Sequence, residues 1–233
     1  MTEAVAYKDE HLTRQLDIIP LAILDTPITV IGAGAIGSWT TLALAKMGFA
    51  NITVYDHDKV ETVNLNAQVY GSCDVGRTKV AALHGYVKLM TGIDIDLQPI
   101  MYERQENREA KGIWITAVDS MKVRRMIWDS LKGKARNLIA LIDPRMGAEE
   151  GMMLCMDVHD DKDIESYEKS LYTDEQAVNE PCTAKSTAYT ALMLSGLVAK
   201  TVKDRLTGDY IRNCQWSIKN NHLIAWTAAG KSL

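Results

Sequence analysis

The chain has 233 residues, 47% of them apolar and 24% charged, and a formal net charge of −4. That length suits one large α/β domain rather than two, and the composition excludes a disordered or fibrous chain. An acidic total gives no bulk attraction to nucleic acid or anionic membrane, and apolar runs such as Ala191–Ala199 are far too short to span a bilayer.

The N-terminal MTEAVAYKDEHLTRQ lacks the cationic-then-apolar pattern of a secretion signal, so a cytoplasmic protein is expected. Residues 1–26 read as an N-terminal arm. Pro27–Ile31 is a short β-branched run ending at Gly32, the pattern of a buried parallel strand. Ala35–Gly48 follows with helical periodicity through Ile36, Leu42, Ala43 and Met47, and Gly48 stops it. Asn51–Tyr55 predicts a second strand ending in Asp56, and Gly76–Met90 a second helix before Thr91-Gly92. Ile95–Ile100 and Ile113–Val118 read as strands, Met121–Leu131 as a helix, and Leu138–Ile142 as a strand running into Asp143-Pro144.

Strand and helix therefore alternate, which predicts a Rossmann-like, doubly wound, mostly parallel sheet. Val158–Pro181 breaks the rhythm. It is acidic and polar, with Asp160, Asp161, Asp163, Glu165 and Glu168 close together, and predicts a mobile loop. Thr183–Leu206 predicts the longest helix. Tyr210–Ile218 and His222–Trp226 predict antiparallel C-terminal strands hinged at Asn220-Asn221.

Gly32-Ala33-Gly34-Ala35-Ile36-Gly37 fits G-x-G-x-x-G between a strand and a helix. Glycines there allow a tight turn, close backbone approach to phosphate and close helix–strand packing, and the helix N-terminus offers free N–H groups to an anion. Asp56 stands where a carboxylate accepts hydrogen bonds from ribose hydroxyls. The alternative is a tight turn beside a strand-end aspartate with no ligand. A NAD-dependent oxidoreductase would present the same residues up to this point.

The following segments are more specific. Asp56-His57-Asp58-Lys59-Val60, Asn64-Leu65-Asn66-Ala67-Gln68 and Asp74-Val75-Gly76-Arg77-Thr78-Lys79 resemble the signature of the ThiF/MoeB/HesA family of ubiquitin-activating-enzyme-like adenylyltransferases. Ala117-Val118-Asp119, with Arg124 and Arg125 on the next helix, resembles its strand-end aspartate element, and Arg14-Gln15 its N-terminal pair. The resemblance spans about residues 14–125, with Thr183–Lys200 similar to the family's closing helix.

It implies ATP-dependent adenylation of the C-terminal carboxylate of a ubiquitin-like or sulfur-carrier protein or peptide, with release of pyrophosphate. On that resemblance Gly32, Gly34, Ala35 and Gly37 cradle the phosphates, and Asp58, Asn64 and Gln68 join Asp56 around the nucleotide. Lys79 neutralises the departing pyrophosphate, Asp119 holds Mg2+, and Arg14 reaches the nucleotide of a second copy in a homodimer. The residues have plainer readings too: Lys79 as a solvated helix residue, Asp119 as a helix N-cap, Arg14 as surface.

Two departures stand out. Ala67 occupies a position where the family places an arginine, and three explanations compete: Arg77 is the candidate substitute, the enzyme is slow unless a partner binds, or the copy is catalytically silent. Cys73, Cys155, Cys182 and Cys214 form no C-x-x-C pair, so no zinc is expected. Cys182, at the start of the predicted closing helix, resembles the family's thioester or persulfide cysteine; its other reading is a small buried hydrophobe. Three alternatives stay open: a nucleotide-binding pseudo-activating subunit, a NAD-dependent oxidoreductase, and an enzyme adenylating a carboxylate on modified tRNA.

Overall fold

Two β-branched runs set the frame. Ile28–Ile31 forms β1 and Ile52–Tyr55 forms β2, paired in parallel with Ile28 opposite Ile52. The computed structural model describes residues 10–102, 110–132, 136–172, 186–208, 213–217 and 219–226. Among them, one sheet holds eight strands in the order β3-β2-β1-β4-β5-β6-β7-β8. The others are β3 (Asp96–Gln98), β4 (Lys111–Thr116), β5 (Asn137–Gly147), β6 (Glu150–Met156), β7 (Asn213–Ser217) and β8 (His222–Trp226). Pairing is parallel from β3 through β5 and antiparallel from β5 through β8.

Among the described residues, helices cover the sheet: α1 (Ala35–Lys46), α2 (Lys79–Thr91), α3 (Met121–Leu131), α4 (Asp161–Ser170) and α5 (Ala188–Thr207). Alternation along β1 explains the layering, because successive side chains point to opposite faces. Ile28 and Val30 join Leu42, Leu44, Leu83, Val87, Leu194 and Val198 of α1, α2 and α5 in one core. Ile31 faces the other way and joins Trp114, Leu141, Ile127, Leu131 and Tyr167 beneath α3 and α4. The predicted α/β architecture with antiparallel C-terminal strands is the one observed. No helix is long and apolar enough to cross a membrane among the described residues.

The structure departs from the sequence reading in two places. The predicted loop over Val158–Pro181 is helical from Asp161 to Ser170. Asp160 caps this helix, its side chain accepting from the Lys162 and Asp163 amides, and Asp161 and Asp163 lie in the first turn, where the helix dipole favours negative charge. Its buried apolar face is narrow, Tyr167 with the partly buried Ile164, which is why the segment reads as polar. Residues 173–181 lie outside the described residues. Second, β6 was not anticipated: Glu150–Met156 is the antiparallel partner of the C-terminal half of a long β5. The N-terminal arm is anchored, with Leu12, Ile19 and Leu24 buried in the larger core and the Gln15 side-chain amide donating to the Met47 carbonyl at 2.7 Å.

Candidate active site

β1, β2 and β4 end side by side, and the residues singled out in the sequence gather at those ends. Gly32 leaves β1 with φ of +97°, and a Cβ there would overlap the Ala117 carbonyl at the end of β4. A Cβ at Gly37 would overlap the Gly32 carbonyl, so the first turn of α1 sits directly on the loop. Gly34 is different. It precedes α1 without a side-chain cap, and a Cβ placed on it meets nothing within 4 Å. Two of the three glycines therefore serve packing, and the third leaves a cradle beside the uncapped helix N-terminus, where Ala35 is the first helical residue.

Asp56 is buried at the end of β2, and its first task is structural. One carboxylate oxygen accepts from the Ala33 amide (2.7 Å) and the other from the Asp58 amide (2.8 Å). A carboxylate has about four acceptor positions, so capacity for ribose hydroxyls remains. Asp56, His57 and Asp58 bring ligand atoms within 4.8 Å of one another.

The segment from Asn64 to Tyr70 runs across the glycine loop as a strap. Asn64 Oδ1 accepts from the Glu61 amide (2.9 Å), and its NH2 end is the donor it offers a ligand. Gln68 carries a buried side-chain oxygen, Oε1, with no hydrogen-bond partner. A ribose hydroxyl would satisfy it as it stands, and a phosphate oxygen would satisfy the amide turned over. Three bonds hold the strap down: Trp39 Nε1 to the Ala67 carbonyl (2.9 Å), the Val69 amide to Ser38 Oγ (3.3 Å) and Tyr70 OH to the Ala33 carbonyl (2.7 Å). Ala67 is only 2% exposed. Arg77, the candidate substitute for its missing guanidinium, is engaged with Asp74 at 2.7 Å. The structure thus gives Arg77 a local partner.

Lys79 opens α2. Backbone bonds from Val60 to Arg77 (2.8 Å) and from Lys79 to Asp58 (2.9 Å) bring its helix start against the turn after β2. Its side chain is 9% exposed, and Nζ meets Asp58 Oδ2 at 2.7 Å. Hydrogen bonding to the Lys79 ammonium holds the Asp58 carboxyl below the usual range despite partial burial. Sequence spacing does not announce this pair, since 21 positions separate its members.

Asp119 is exposed just beyond β4. The helix-capping role considered for it belongs instead to Ser120, whose hydroxyl accepts from the Val123 amide. That frees the Asp119 carboxylate, and one or two such groups are what Mg2+ takes when phosphates and water complete its shell. Behind it Arg124 is buried, donating to the carbonyls of Thr116 (2.9 Å), Val118 and Pro144 (3.2 Å) and paired with buried Asp143. Burial and the neighbouring Arg145 pull the Arg124 pKa down to about 10, which still leaves it charged at neutral pH. Sequence reasoning named Arg124 without a task; its task is to tie the ends of β4 and β5 together.

Arg14 lies in a short 3-10 turn (Thr13–Gln15) and is exposed. Cys182 lies outside the described residues. Of the other cysteines, Cys155 and Cys214 are buried, and burial pushes the Cys214 thiol up to about 11, away from reactivity.

The ThiF family model matches residues 20–229. The adenylyltransferase and sulfurtransferase MOCS3 of Aedes aegypti is 30% identical over 115 residues, 47% of this chain and 26% of that protein. The tRNA threonylcarbamoyladenosine dehydratase of Haemophilus influenzae is 30% identical over 121 residues, 49% of this chain and 46% of that protein. The chain thus covers less than half the length of either relative. Among solved structures, PaaA aligns with a TM-score of 0.73 at 18% identity over 98% of this chain and 75% of its own. MccB of E. coli, solved with MccA, aligns at 0.72 and 14% identity over 93% and 71%. At such identities these two bear on the fold alone.

Proposed function

The chain belongs to the ThiF family, and on that premise we propose that it is an adenylyltransferase that activates a carboxylate with ATP. The observation that carries this reading is convergence: an open cradle at Gly34, the Asp56 carboxylate, the buried Lys79 ammonium and the uncommitted Asp119 all border the ends of β1, β2 and β4. Such crevices beyond strand termini, where strand order reverses, are where doubly wound sheets take ligands.

A carboxylate oxygen attacks the α-phosphorus of ATP, the bond to the bridging oxygen breaks, and pyrophosphate leaves with the electron pair. The glycine-loop amides and Gln68 hold the phosphates, Asp56 orients the ribose, and Lys79, released from Asp58, meets the negative charge growing on the leaving group. Asp119 would hold Mg2+, which supplies further charge neutralisation there.

The carboxylate is the C-terminal end of a ubiquitin-like or sulfur-carrier protein or peptide. NEDD8-activating enzyme subunits among the sequence relatives support that class of substrate. Exposed Arg14 is consistent with a homodimer in which it reaches the second copy's nucleotide, and Cys182 is the candidate for a later thioester or persulfide step. The setting is the cytoplasm. The buried Ala67 favours one other reading, a subunit that binds nucleotide and partner without turnover.

ATP–pyrophosphate exchange tests the proposal, run with synthetic tails ending in Gly-Gly and with Asp119→Ala. Tail-dependent exchange that Asp119→Ala abolishes is the expected result. ATP binding without exchange on any tail would select the silent subunit, and NADH binding without exchange would overturn both.

A further inference from the structure

The glycine loop has its early hydrogen-bonding groups assigned one by one. The Gly32 amide donates to the Tyr55 carbonyl (2.8 Å) and the Ala33 amide to Asp56 Oδ2 (2.7 Å). The Ala33 carbonyl accepts from Tyr70 OH at 2.7 Å. Gly34 N–H is then the first donor of the loop with no protein acceptor among the described residues. A trans peptide is planar, with its C=O and N–H on opposite sides. Whatever holds the Ala33 carbonyl therefore also sets the direction of the Gly34 N–H. Of the two torsions that flank this peptide, ψ of Ala33 and φ of Gly34, the second meets no Cβ resistance, so the peptide needs a hold on its carbonyl.

We infer that Tyr70 is a positioning residue for the phosphate-binding loop, holding the Ala33–Gly34 peptide so that the Gly34 N–H faces the nucleotide phosphates. The inference rests on the nucleotide-binding reading above and adds to it a residue outside the loop and outside the motif segments. Tyr70 suits the task. Its ring is buried among core residues, so the hydroxyl reaches the loop from a fixed base. Burial, then the nearby Asp56, Asp74 and Asp58 carboxylates, push its pKa far up, so the phenol remains a donor at neutral pH. It also joins the loop to the strap that carries Gln68, so two groups aimed at one ligand share one anchor.

Tyr70→Phe removes the hydroxyl and keeps the ring. The strap bond from Trp39 to Ala67 gives a matched control, because Trp39→Phe removes a hydrogen bond of the same kind that touches neither Ala33 nor Gly34. Calorimetric titration of each protein with Mg-ATP and, separately, with adenosine separates phosphate contacts from nucleoside contacts. Tyr70→Phe is expected to raise the Kd for Mg-ATP roughly three- to tenfold, the worth of one neutral hydrogen bond, and to leave adenosine unchanged. Trp39→Phe is expected to leave the ratio of the two constants as in the wild type. Equal weakening of both ligands by Tyr70→Phe, an unchanged Mg-ATP constant, or the same selective loss in Trp39→Phe would overturn the assignment and leave Tyr70 a fold-stabilising side chain. Failure of the wild type itself to bind Mg-ATP would instead remove the nucleotide reading, and this inference with it.

Discussion

Replacing Lys79 by methionine removes an ammonium while keeping the aliphatic stem that α2 buries, so it separates charge from packing. In the resting structure that ammonium contacts Asp58 at 2.7 Å, with Asp58 half exposed. Water screens such a pair, and its loss costs at most about 1 kcal/mol, or roughly 2–4 °C in Tm for a chain of this size. During adenylation the same ammonium would face the departing pyrophosphate, where one charged contact contributes about 2.7–4 kcal/mol, a hundred- to thousandfold in rate. The two roles thus differ in size by a factor of about three or more. The assay pairs thermal denaturation of Lys79→Met with ATP–pyrophosphate exchange at saturating ATP. A melting point within a few degrees of wild type, with exchange down at least a hundredfold, is expected. A large fall in Tm with exchange per folded molecule intact would refute the reasoning and make Lys79 a structural residue.

Two glycines of the loop, Gly34 and Gly37, make opposite predictions. Gly34→Ala places a methyl in open space, so Tm should move by only about 1 kcal/mol equivalent while Mg-ATP affinity falls at least tenfold, by titration. Gly37→Ala drives a methyl into the Gly32 carbonyl and should cost about 3 kcal/mol or more, read as a fall of roughly 6–12 °C in Tm. Ala67→Arg, which restores the family residue, should destabilise by about 1–3 kcal/mol and leave exchange no faster, because the site is buried and pinned by Trp39; faster exchange at unchanged Tm would show the position to be open. At Asp74 burial opposes ionisation, but the Gly71 amide, Tyr86 and Arg77 outweigh it and hold the carboxyl below the usual range. The native state then binds this proton more weakly than the unfolded chain. Its contribution is complete above about pH 4 and is lost as pH falls through the lower native value. Asp74→Asn should therefore flatten the acid limb of a stability-versus-pH curve, and an unchanged limb would exclude the group.

The elements with strong periodicity and clear punctuation were legible in the residues: β1 with its glycine loop, α1 ended by Gly48, β2 ended by Asp56, and the β7–β8 hairpin, whose Asn221 takes a positive φ of 49°. What escaped notice did so for identifiable reasons. The strand β6 reads as an apolar run with methionines, which periodicity does not distinguish from a helix, and only pairing with the far half of β5 defines it. The helix α4 buries too narrow a face to show through its acidic surface. Within the site, the residue types were readable but their partners were not. Lys79 with Asp58, Asp56 with Ala33 and Tyr70 with Ala33 join positions 21 to 37 apart, and a local pattern carries no record of such contacts. Ser120 displaced Asp119 as helix cap because one residue of register decides which side chain meets the Val123 amide.

The strand order has a consequence in time as well as in space. β1 lies between β2 and β4, and its β4 partner is made about 85 residues after Ile28, since Ile28 pairs with Ile113. At roughly 5–20 residues per second, a nascent chain waits about 4–17 s with one edge of β1 unpaired. By contrast, β5 with β6 and β7 with β8 are neighbours in sequence and close on a microsecond scale once made. For those seconds the central ladder through Ile28 and Val30 is an open template, and the strand that will form the floor of the crevice is the one most exposed to pairing with another chain.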